Sequence, residues 1–223
     1  MKIVGLRLAT TAVFALAFAL AVQAADRAAD RAADRDEGGD SAHGFQAKLE
    51  YCKTCHGLSG EGYRGYFPMP RLAGQQPKYI ENQLRAFIER RRVNPVMFNV
   101  AHVLSPATLA ALSEHFKNLN PEPIGGGPRD HMALGKTIYE QGLPESNVPA
   151  CSACHGPEAK GHEEIPRLAG QLFPYTLKAL SYWGKERGVG GSRDDTSAIM
   201  VPTTHNLTHE QMSAIAAYLS YMK

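Results

Sequence analysis

The sequence predicts an all-α protein in which two similar helical domains follow one another along the chain. Three observations support this fold class. The 223 residues contain an internal sequence repeat of two copies. Each copy has helix-capping residues before apolar residues at helical spacing, and no segment alternates apolar and polar residues over the length of a strand. A chain of this length accommodates one or two small domains, so the repeat decides between them.

The first 24 residues have the pattern of a secretory signal peptide. Lys2 and Arg7 precede an apolar run, and small residues around Ala24 suit a cleavage site. The alternative is a membrane anchor, but the apolar run is shorter than the roughly 20 residues that cross a bilayer. We therefore expect residues 1–24 to be removed on export to the periplasm, which leaves no transmembrane segment in the mature chain.

Removal of this peptide changes what the charge of the chain implies. The formal net charge is +2, and the peptide carries two positive and no negative charges, so the mature chain is expected to be neutral. The basic character of the precursor therefore does not indicate nucleic-acid binding. Residues 25–43 contain three near-copies of Ala-Asp-Arg-Ala and little apolar surface to bury, which predicts a disordered leader.

Two motifs occur in both copies of the repeat. Cys-x-x-Cys-His-Gly occupies 52–57 and 151–156, and Pro-Arg-Leu-Ala-Gly-Gln occupies 70–75 and 166–171 without change. Such self-similarity is typical of a duplicated structural unit. We therefore assign one copy of the same fold to each half of the mature chain.

The boundary between the copies is rich in residues that break helices. Residues 121–128 contain three prolines and three glycines. We predict a first domain at 44–120, a linker at 121–130 and a second domain at 131–223. The copies differ most at 188–195, a glycine-rich insertion that predicts a surface loop.

Each copy is predicted to end in a helix. Ser105 is a favourable N-cap residue, and a proline follows it at the first helical position. In the second copy, Thr208 and Gln211 have the spacing of a capping box. Apolar residues follow both caps at helical intervals, and a further helix is expected to begin near Pro77 in one copy and near Pro174 in the other.

The Cys-x-x-Cys-His motif is the attachment signature of c-type haem. In each copy the two thiols bond covalently to the haem, and the following histidine supplies an axial nitrogen to iron. The residues are Cys52, Cys55 and His56 in the first copy, and Cys151, Cys154 and His155 in the second. Because both motifs are present, we predict two covalently bound haem c groups.

Other roles for four cysteines in an exported chain fit the pattern less well. Disulfide bonds are the usual expectation in an oxidising compartment, but the spacing argues against them here. A thioredoxin-like redox pair needs no following histidine and lies in a βαβ setting, which this sequence lacks. A single zinc site built from all four cysteines would require both repeats to share one metal.

The residues leave two candidates for the second axial ligand of each iron. Met97 and Met200 occupy equivalent positions in the two copies, whereas no other methionine is shared by both. A thioether paired with histidine raises the reduction potential relative to two histidines, as an electron shuttle in an oxidising chain requires. His102 and His205 also coincide, each five residues after its methionine, so bis-histidine ligation stays open.

With these motifs, the chain resembles the cytochrome c4 family, dihaem proteins made of two fused class I cytochrome c folds. The resemblance covers 44–223 and rests on both shared motifs, a Tyr-x-x-x-(Gln)-Leu pattern and the methionine before the last helix of each copy. Ala179, where the first copy has Gln83, and the longer loop before Met200 depart from the pattern. Both departures concern the surroundings of the second haem.

The resemblance implies roles for particular residues. Four residues would ligate the two irons in pairs, His56 with Met97 and His155 with Met200. The carbonyl groups of Pro70 and Pro166 would accept a hydrogen bond from the ligand imidazole and thereby orient it.

An arginine follows each of these prolines. Arg71 and Arg167 could pair with haem propionates, because a guanidinium group matches a planar carboxylate. The competing interpretation is that each is an exposed arginine in a loop. The sequence does not choose between the two.

The predicted function is one-electron transfer in the periplasm, with an upstream electron donor and a membrane terminal oxidase as the partners that the resemblance implies. The first alternative is a dihaem enzyme of the peroxidase or thiosulfate-oxidising type. Two equivalent methionines argue against it, because they would occupy the coordination position at which a substrate could bind each iron. A second alternative is the cytochrome subunit of a dehydrogenase. No feature of the sequence predicts binding to nucleic acid.

Overall fold

The computed structural model describes residues 42–187 and 196–223. These residues form helices joined by turns and loops, and within them only three isolated β-bridges take the place of strands. The predicted all-α fold is confirmed. The predicted signal peptide at 1–24, the leader at 25–43 apart from its last two residues, and the predicted loop at 188–195 lie outside the described residues.

Four helices belong to the described part of the first copy. They are α1 (Ala42–His56), α2 (Pro77–Ile88), α3 (Pro95–Ala101) and α4 (Pro106–Lys117). Each of the last three has a proline in its first turn, where no intrahelical partner for the missing N–H is needed. The predicted cap of α4 is confirmed, because Ser105 Oγ accepts a hydrogen bond from the Thr108 backbone N–H at 3.1 Å.

The described part of the second copy has six α-helices. They are α5 (Met132–Gln141), α6 (Ser152–His155), α7 (Phe173–Ser181), α8 (Trp183–Glu186), α9 (Met200–His205) and α10 (His209–Tyr221). The predicted capping box is confirmed. Thr208 Oγ1 accepts from the Gln211 N–H at 3.2 Å, and Gln211 Oε1 accepts from the Thr208 N–H at 2.8 Å.

The copies differ in the helix that precedes the Cys-x-x-Cys-His motif. In the first copy α1 runs into the motif without interruption and ends at His56. In the second copy α5 ends at Gln141, and Gly142, with a φ of 72°, turns the chain into a segment that contains two prolines. The short helix α6 then carries the motif, so in both copies the histidine lies at a helix C-terminus.

Residues Gln46–Lys223 form one compact unit that contains both repeats. In the first copy α2 and α4 pack together, and in the second α5 and α7 pack against α10. The predicted apolar stripes are buried in these contacts, with Leu109, Leu112 and Phe116 in α4 and Met212, Ile215 and Leu219 in α10. The division into domains at 44–120 and 131–223 stays a prediction, and α1 already begins at Ala42.

No single helix among the described residues is long and apolar enough to cross a membrane. The helices α3 and α4 reach the required length and apolar composition only when taken together, and they are bent by 112° relative to one another. The apolar side chains of α4 at Leu109, Leu112 and Phe116 are buried within the protein.

Candidate functional site

The four cysteines lie in two matched pairs at the ends of α1 and α6. Cys52 and Cys151 are half-buried, Cys55 and Cys154 are exposed, and none of the four forms a disulfide bond. Two residues three positions apart on a helix project from the same face, so each pair can bond to one planar group. Burial raises the pKa of Cys52 and of Cys151 to about 11, which disfavours the thiolate that a redox pair or a zinc site needs.

The two motifs do not meet at one metal. Among residues 42–187 and 196–223, no group of three or more histidine, cysteine, aspartate or glutamate side chains could hold a metal ion. The arrangement that a shared zinc site would require is therefore not formed by the described residues.

Each motif histidine is buried and held by a single carbonyl group. His56 Nδ1 lies 2.9 Å from the carbonyl oxygen of Pro70, and His155 Nδ1 lies 3.0 Å from that of Pro166. A carbonyl oxygen can only accept, so Nδ1 carries the proton and donates. Burial lowers the pKa of both imidazoles, which are therefore neutral with Nε2 as the unprotonated nitrogen. A neutral imidazole oriented in this way can serve as an axial iron ligand through Nε2.

A glycine in each copy lets the chain return to the proline. Gly62 has a φ of 90° and its N–H donates to the carbonyl of His56 at 2.7 Å. A Cβ atom at this position would lie 2.8 Å from the Met69 carbonyl oxygen, closer than real side chains come. Gly161 has the same role after His155. Its φ is 63°, and a Cβ atom there would collide with the backbone of Ile165 and Pro166. The loop that carries the acceptor carbonyl thus depends on glycine in both copies.

The methionines and the competing histidines differ in exposure. Met97 lies within α3 and Met200 begins α9, and both are half-buried. His102 and His205 are exposed, and the His102 ring stacks on Phe98 with 5.4 Å between the ring centroids. Exposure of the two histidines favours the methionines as ligands, and the assignment of Met97 and Met200 to iron stays a prediction.

A cavity of about 570 Å³ opens beside Cys52. Its walls come from α1 and from α3 with the turn that follows, the two helices that carry Cys52 and Met97. The lining is mainly apolar and includes Val96, Val100 and Leu104. The lining includes Cys52 but neither His56 nor Met97, so this apolar cavity adjoins the first attachment motif without including the predicted iron ligands.

The two motif arginines are buried, so the interpretation as exposed loop residues is wrong for both. Arg71 Nε donates to the Ala73 carbonyl at 3.1 Å, and Arg167 Nε donates to the Ala169 carbonyl at 3.1 Å. Burial, together with the nearby charge of Arg167, lowers the pKa of Arg71 to about 10. Arg71 Nη1 is buried and has no hydrogen-bond partner in the described part of the chain. An unsatisfied guanidinium N–H fits a carboxylate acceptor, and the propionate contacts stay a prediction.

The last residue of the repeated Pro-Arg-Leu-Ala-Gly-Gln motif joins the copies, which sequence reasoning missed. Gln75 Oε1 accepts from the Arg167 backbone N–H at 2.7 Å, and Gln75 Nε2 donates to the Arg167 carbonyl at 3.0 Å. In the mirror arrangement, Gln171 Oε1 accepts from the Arg71 backbone N–H at 2.8 Å, and Gln171 Nε2 donates to the Arg71 carbonyl at 3.1 Å. The unchanged repetition of the motif was the available signal, but it did not say which copy each glutamine contacts.

A second group of residues that sequence reasoning missed also bridges the copies. Tyr175 Oη accepts hydrogen bonds from Arg92 Nη2 at 2.7 Å and from Arg187 Nη2 at 3.0 Å, while Arg187 Nη1 donates to Tyr79 Oη at 3.1 Å. Burial acts to raise the pKa of Tyr175, but the charges of Arg92 and Arg187 hold it below its ordinary value. These contacts place both arginines and both tyrosines in one polar cluster between the repeats.

The chain is similar to known proteins over most of the described residues. The profile of the family described as Cytochrome c matches residues 132–223. Cytochrome c4 of Thiocapsa roseopersicina is 31% identical over 184 residues, which cover 81% of this chain and 92% of that protein. The thiosulfate dehydrogenase electron acceptor of Thiomonas intermedia is 34% identical over 176 residues, which cover 76% of this chain and 77% of that protein.

A solved structure agrees with these relatives. The structure of Acidithiobacillus ferrooxidans cytochrome c4 superposes with a TM-score of 0.67 at 34% identity, and the match covers 77% of this chain and 98% of that one. With the fit of the residues described above, these similarities establish the predicted cofactor. The cysteine pairs Cys52–Cys55 and Cys151–Cys154 hold two covalently bound haem c groups.

Proposed function

The chain belongs to the cytochrome c4 family, and from this premise we propose that it shuttles single electrons in the periplasm from an upstream donor to a membrane terminal oxidase. Electron transfer itself is the activity that the family indicates. When bound, haem c supplies one-electron oxidation and reduction of its iron. The pattern of a signal peptide at 1–24 supports a periplasmic location.

One observation carries the proposal, the matched geometry of the two motif histidines. His56 and His155 are buried and neutral, and each is held by a proline carbonyl at 2.9 and 3.0 Å. We assign both as proximal ligands through Nε2, with Pro70 and Pro166 fixing the ring orientation. Since both copies present the same arrangement, both are assigned the same task.

Methionine ligation distinguishes a carrier from an enzyme. We assign Met97 and Met200 as the distal ligands, because they occupy equivalent half-buried positions while His102 and His205 are exposed. A pair of protein ligands on each iron leaves no coordination position for peroxide or another small substrate. Little then rearranges when the charge changes, which suits outer-sphere transfer, so we propose no turnover of substrate by this chain.

A second candidate function concerns the donor rather than the acceptor. The Thiomonas intermedia relative is named as the electron acceptor of a thiosulfate dehydrogenase. That name supports a role in which this chain receives electrons from such an enzyme and does not itself oxidise thiosulfate.

The ligand assignment is tested by near-infrared and visible spectra of the purified holoprotein. The oxidised protein should show the sulfur-to-iron charge-transfer band, and Met97→Ala and Met200→Ala should each remove about half of it and lower one potential. His102→Ala and His205→Ala are matched controls that should leave the band unchanged. Absence of the band, with a spectrum that responds to the histidine variants, would establish bis-histidine ligation instead.

The partner assignment needs a separate kinetic measurement. The reduced protein should be oxidised rapidly by membranes that contain a terminal oxidase, and the oxidised protein should be reduced by a thiosulfate dehydrogenase with thiosulfate only if the second candidate is correct. Saturable turnover of peroxide or thiosulfate by the isolated protein, lost on substitution of one axial methionine, would show that it is an enzyme.

A further inference from the structure

We propose that Gln75 and Gln171 are positioning residues that act across the repeats, each setting the orientation and strength of the carbonyl that holds the proximal histidine of the other copy. This inference rests on the proposed function, in which His56 and His155 are iron ligands. It adds a physical link between the two copies that runs through the protein backbone.

The link depends on one peptide group in each copy. The Pro166 carbonyl that accepts from His155 Nδ1 at 3.0 Å belongs to the same peptide unit as the Arg167 N–H that donates to Gln75 Oε1 at 2.7 Å. A peptide unit is planar, so fixing the direction of its N–H also fixes the direction of its C=O. Gln75 therefore controls where the acceptor of His155 points.

The same construction is repeated in the opposite direction. The Pro70 carbonyl accepts from His56 Nδ1 at 2.9 Å, and the Arg71 N–H of that peptide unit donates to Gln171 Oε1 at 2.8 Å. Each glutamine belongs to one copy and acts on the peptide unit of the other. The two motif copies are thus reciprocally connected.

Both ends of each glutamine amide are used, which holds the side chain in place. Besides the hydrogen bond that Oε1 accepts, Gln75 Nε2 donates to the Arg167 carbonyl and Gln171 Nε2 donates to the Arg71 carbonyl, at 3.0 and 3.1 Å. Gln75 Oε1 also accepts from the Gln76 N–H of its own chain segment at 2.9 Å. The glutamines are only 5% and 8% exposed, so water does not readily take their place.

A hydrogen bond to the N–H of a peptide polarises its C=O and makes it a better acceptor. A better acceptor increases the basicity of the imidazole that donates to it, and a more basic imidazole stabilises oxidised iron. Each glutamine therefore lowers the reduction potential of the iron in the opposite copy. Its removal should raise that potential and leave the potential of its own copy unchanged.

The test is a potentiometric titration of holoprotein variants. To separate the two potentials, Met97→His or Met200→His is first introduced. Bis-histidine ligation lowers the potential of the iron whose methionine has been replaced, so the other iron can be titrated separately. In the Met97→His background, Gln75→Leu should increase the equilibrium constant for reduction of the second iron about fivefold. Because a tenfold change in this constant corresponds to about 59 mV for one electron, the potential should rise by about 40 mV. In the Met200→His background, Gln171→Leu should raise the potential of the first iron by a similar amount.

Gln76→Leu is the matched control. Gln76 Nε2 also crosses between the copies and donates to the carbonyls of Lys160 at 3.0 Å and Gly161 at 3.3 Å, but it makes no hydrogen bond to the Pro166–Arg167 peptide unit. It should leave both potentials unchanged. A shift of similar size in Gln76→Leu would overturn the inference, because general loosening of the contact between the copies would then explain the effect.

Hydrogen exchange at the Arg167 amide gives a second readout that does not depend on iron. Exchange should accelerate in Gln75→Leu, and in Gln75→Asn if the leucine variant does not accumulate, since the shorter amide cannot make both bonds. In the potentiometric titration, a change in the potential of the iron in the copy that carries the substitution, or of neither iron, would overturn the inference. Failure of the proposed function is a separate result, because it would appear as saturable turnover of peroxide or thiosulfate, or as no oxidation by membranes that contain a terminal oxidase, while the two potentials could still be titrated.

Discussion

Substitution of three glycines in the second copy separates the contributions of backbone conformation and of close packing beside His155. Gly161→Ala, Gly156→Ala and Gly184→Ala each add one methyl group. Gly161 has a φ of 63°, and its Cβ would collide with the backbone of Ile165 and Pro166. Gly156 has a φ of 77°, but no protein atom outside its own chain neighbours lies within 4 Å of its Cβ position. Gly184 likewise has no such protein atom near its Cβ position, and its φ is not in the left-handed region.

These differences set the expected magnitudes. Gly184→Ala lies in α8 and should be neutral or stabilise the protein by up to about 1 kcal/mol. Gly156→Ala should reduce the free energy of unfolding by about 1–2 kcal/mol, the strain of a left-handed residue with a Cβ. In Gly161→Ala, overpacking costs about 1–3 kcal/mol in addition to the same backbone strain. The free energy of unfolding should therefore fall by about 2–5 kcal/mol in total.

Thermal unfolding of the oxidised holoproteins measures these effects, with a fall in Tm of about 2–4 °C per kcal/mol for a chain of this size. Relief of the collision at Gly161 must move the Pro166 carbonyl, so Gly161→Ala should also change the spectrum of the second haem, whereas Gly184→Ala should not. Equal destabilisation by Gly156→Ala and Gly161→Ala would refute the reasoning, because contact with the proline segment would then contribute nothing.

Three further predictions follow from attachment, capping and a buried hydroxyl group. Cys52→Ala with Cys55→Ala should leave one haem on the polypeptide after denaturing electrophoresis, as judged by haem stain and mass, whereas retention of two haems would contradict the assigned attachment sites. Thr208→Ala should lower the free energy of unfolding by about 1 kcal/mol in denaturant titrations through loss of the α10 cap, and Thr208→Ser should restore most of it. Tyr139→Phe should cost about 1–3 kcal/mol, because the Gly156 carbonyl loses its buried donor. Burial raises the pKa of Tyr139, so in the parent protein the hydroxyl group ionises in the unfolded state first, and the free energy of unfolding declines as the pH rises above about 10. This decline should be smaller in Tyr139→Phe. An identical decline in both proteins would contradict the assignment of the pH dependence to Tyr139.

Local interactions explain why much of the fold was predictable. The caps at Ser105 and Thr208 form between residues three apart, so the sequence pattern contains both partners. The buried faces of α4 and α10 follow from helical spacing alone. The attachment motif is equally local, since a cysteine pair and a histidine within five residues hold one cofactor.

The sequence by itself determined the all-α class, the duplicated unit and the haem-attachment residues, because each depends on residues close together in the chain or on direct repetition. Only the tertiary structure decided that Arg71 is buried, that Tyr175 joins Arg92 and Arg187, and that Gln75 contacts Arg167, a residue 92 positions away. These contacts arise from the way the two copies pack against each other. No local pattern encodes that packing, because repetition specifies what each copy contains but not which face of one copy meets the other.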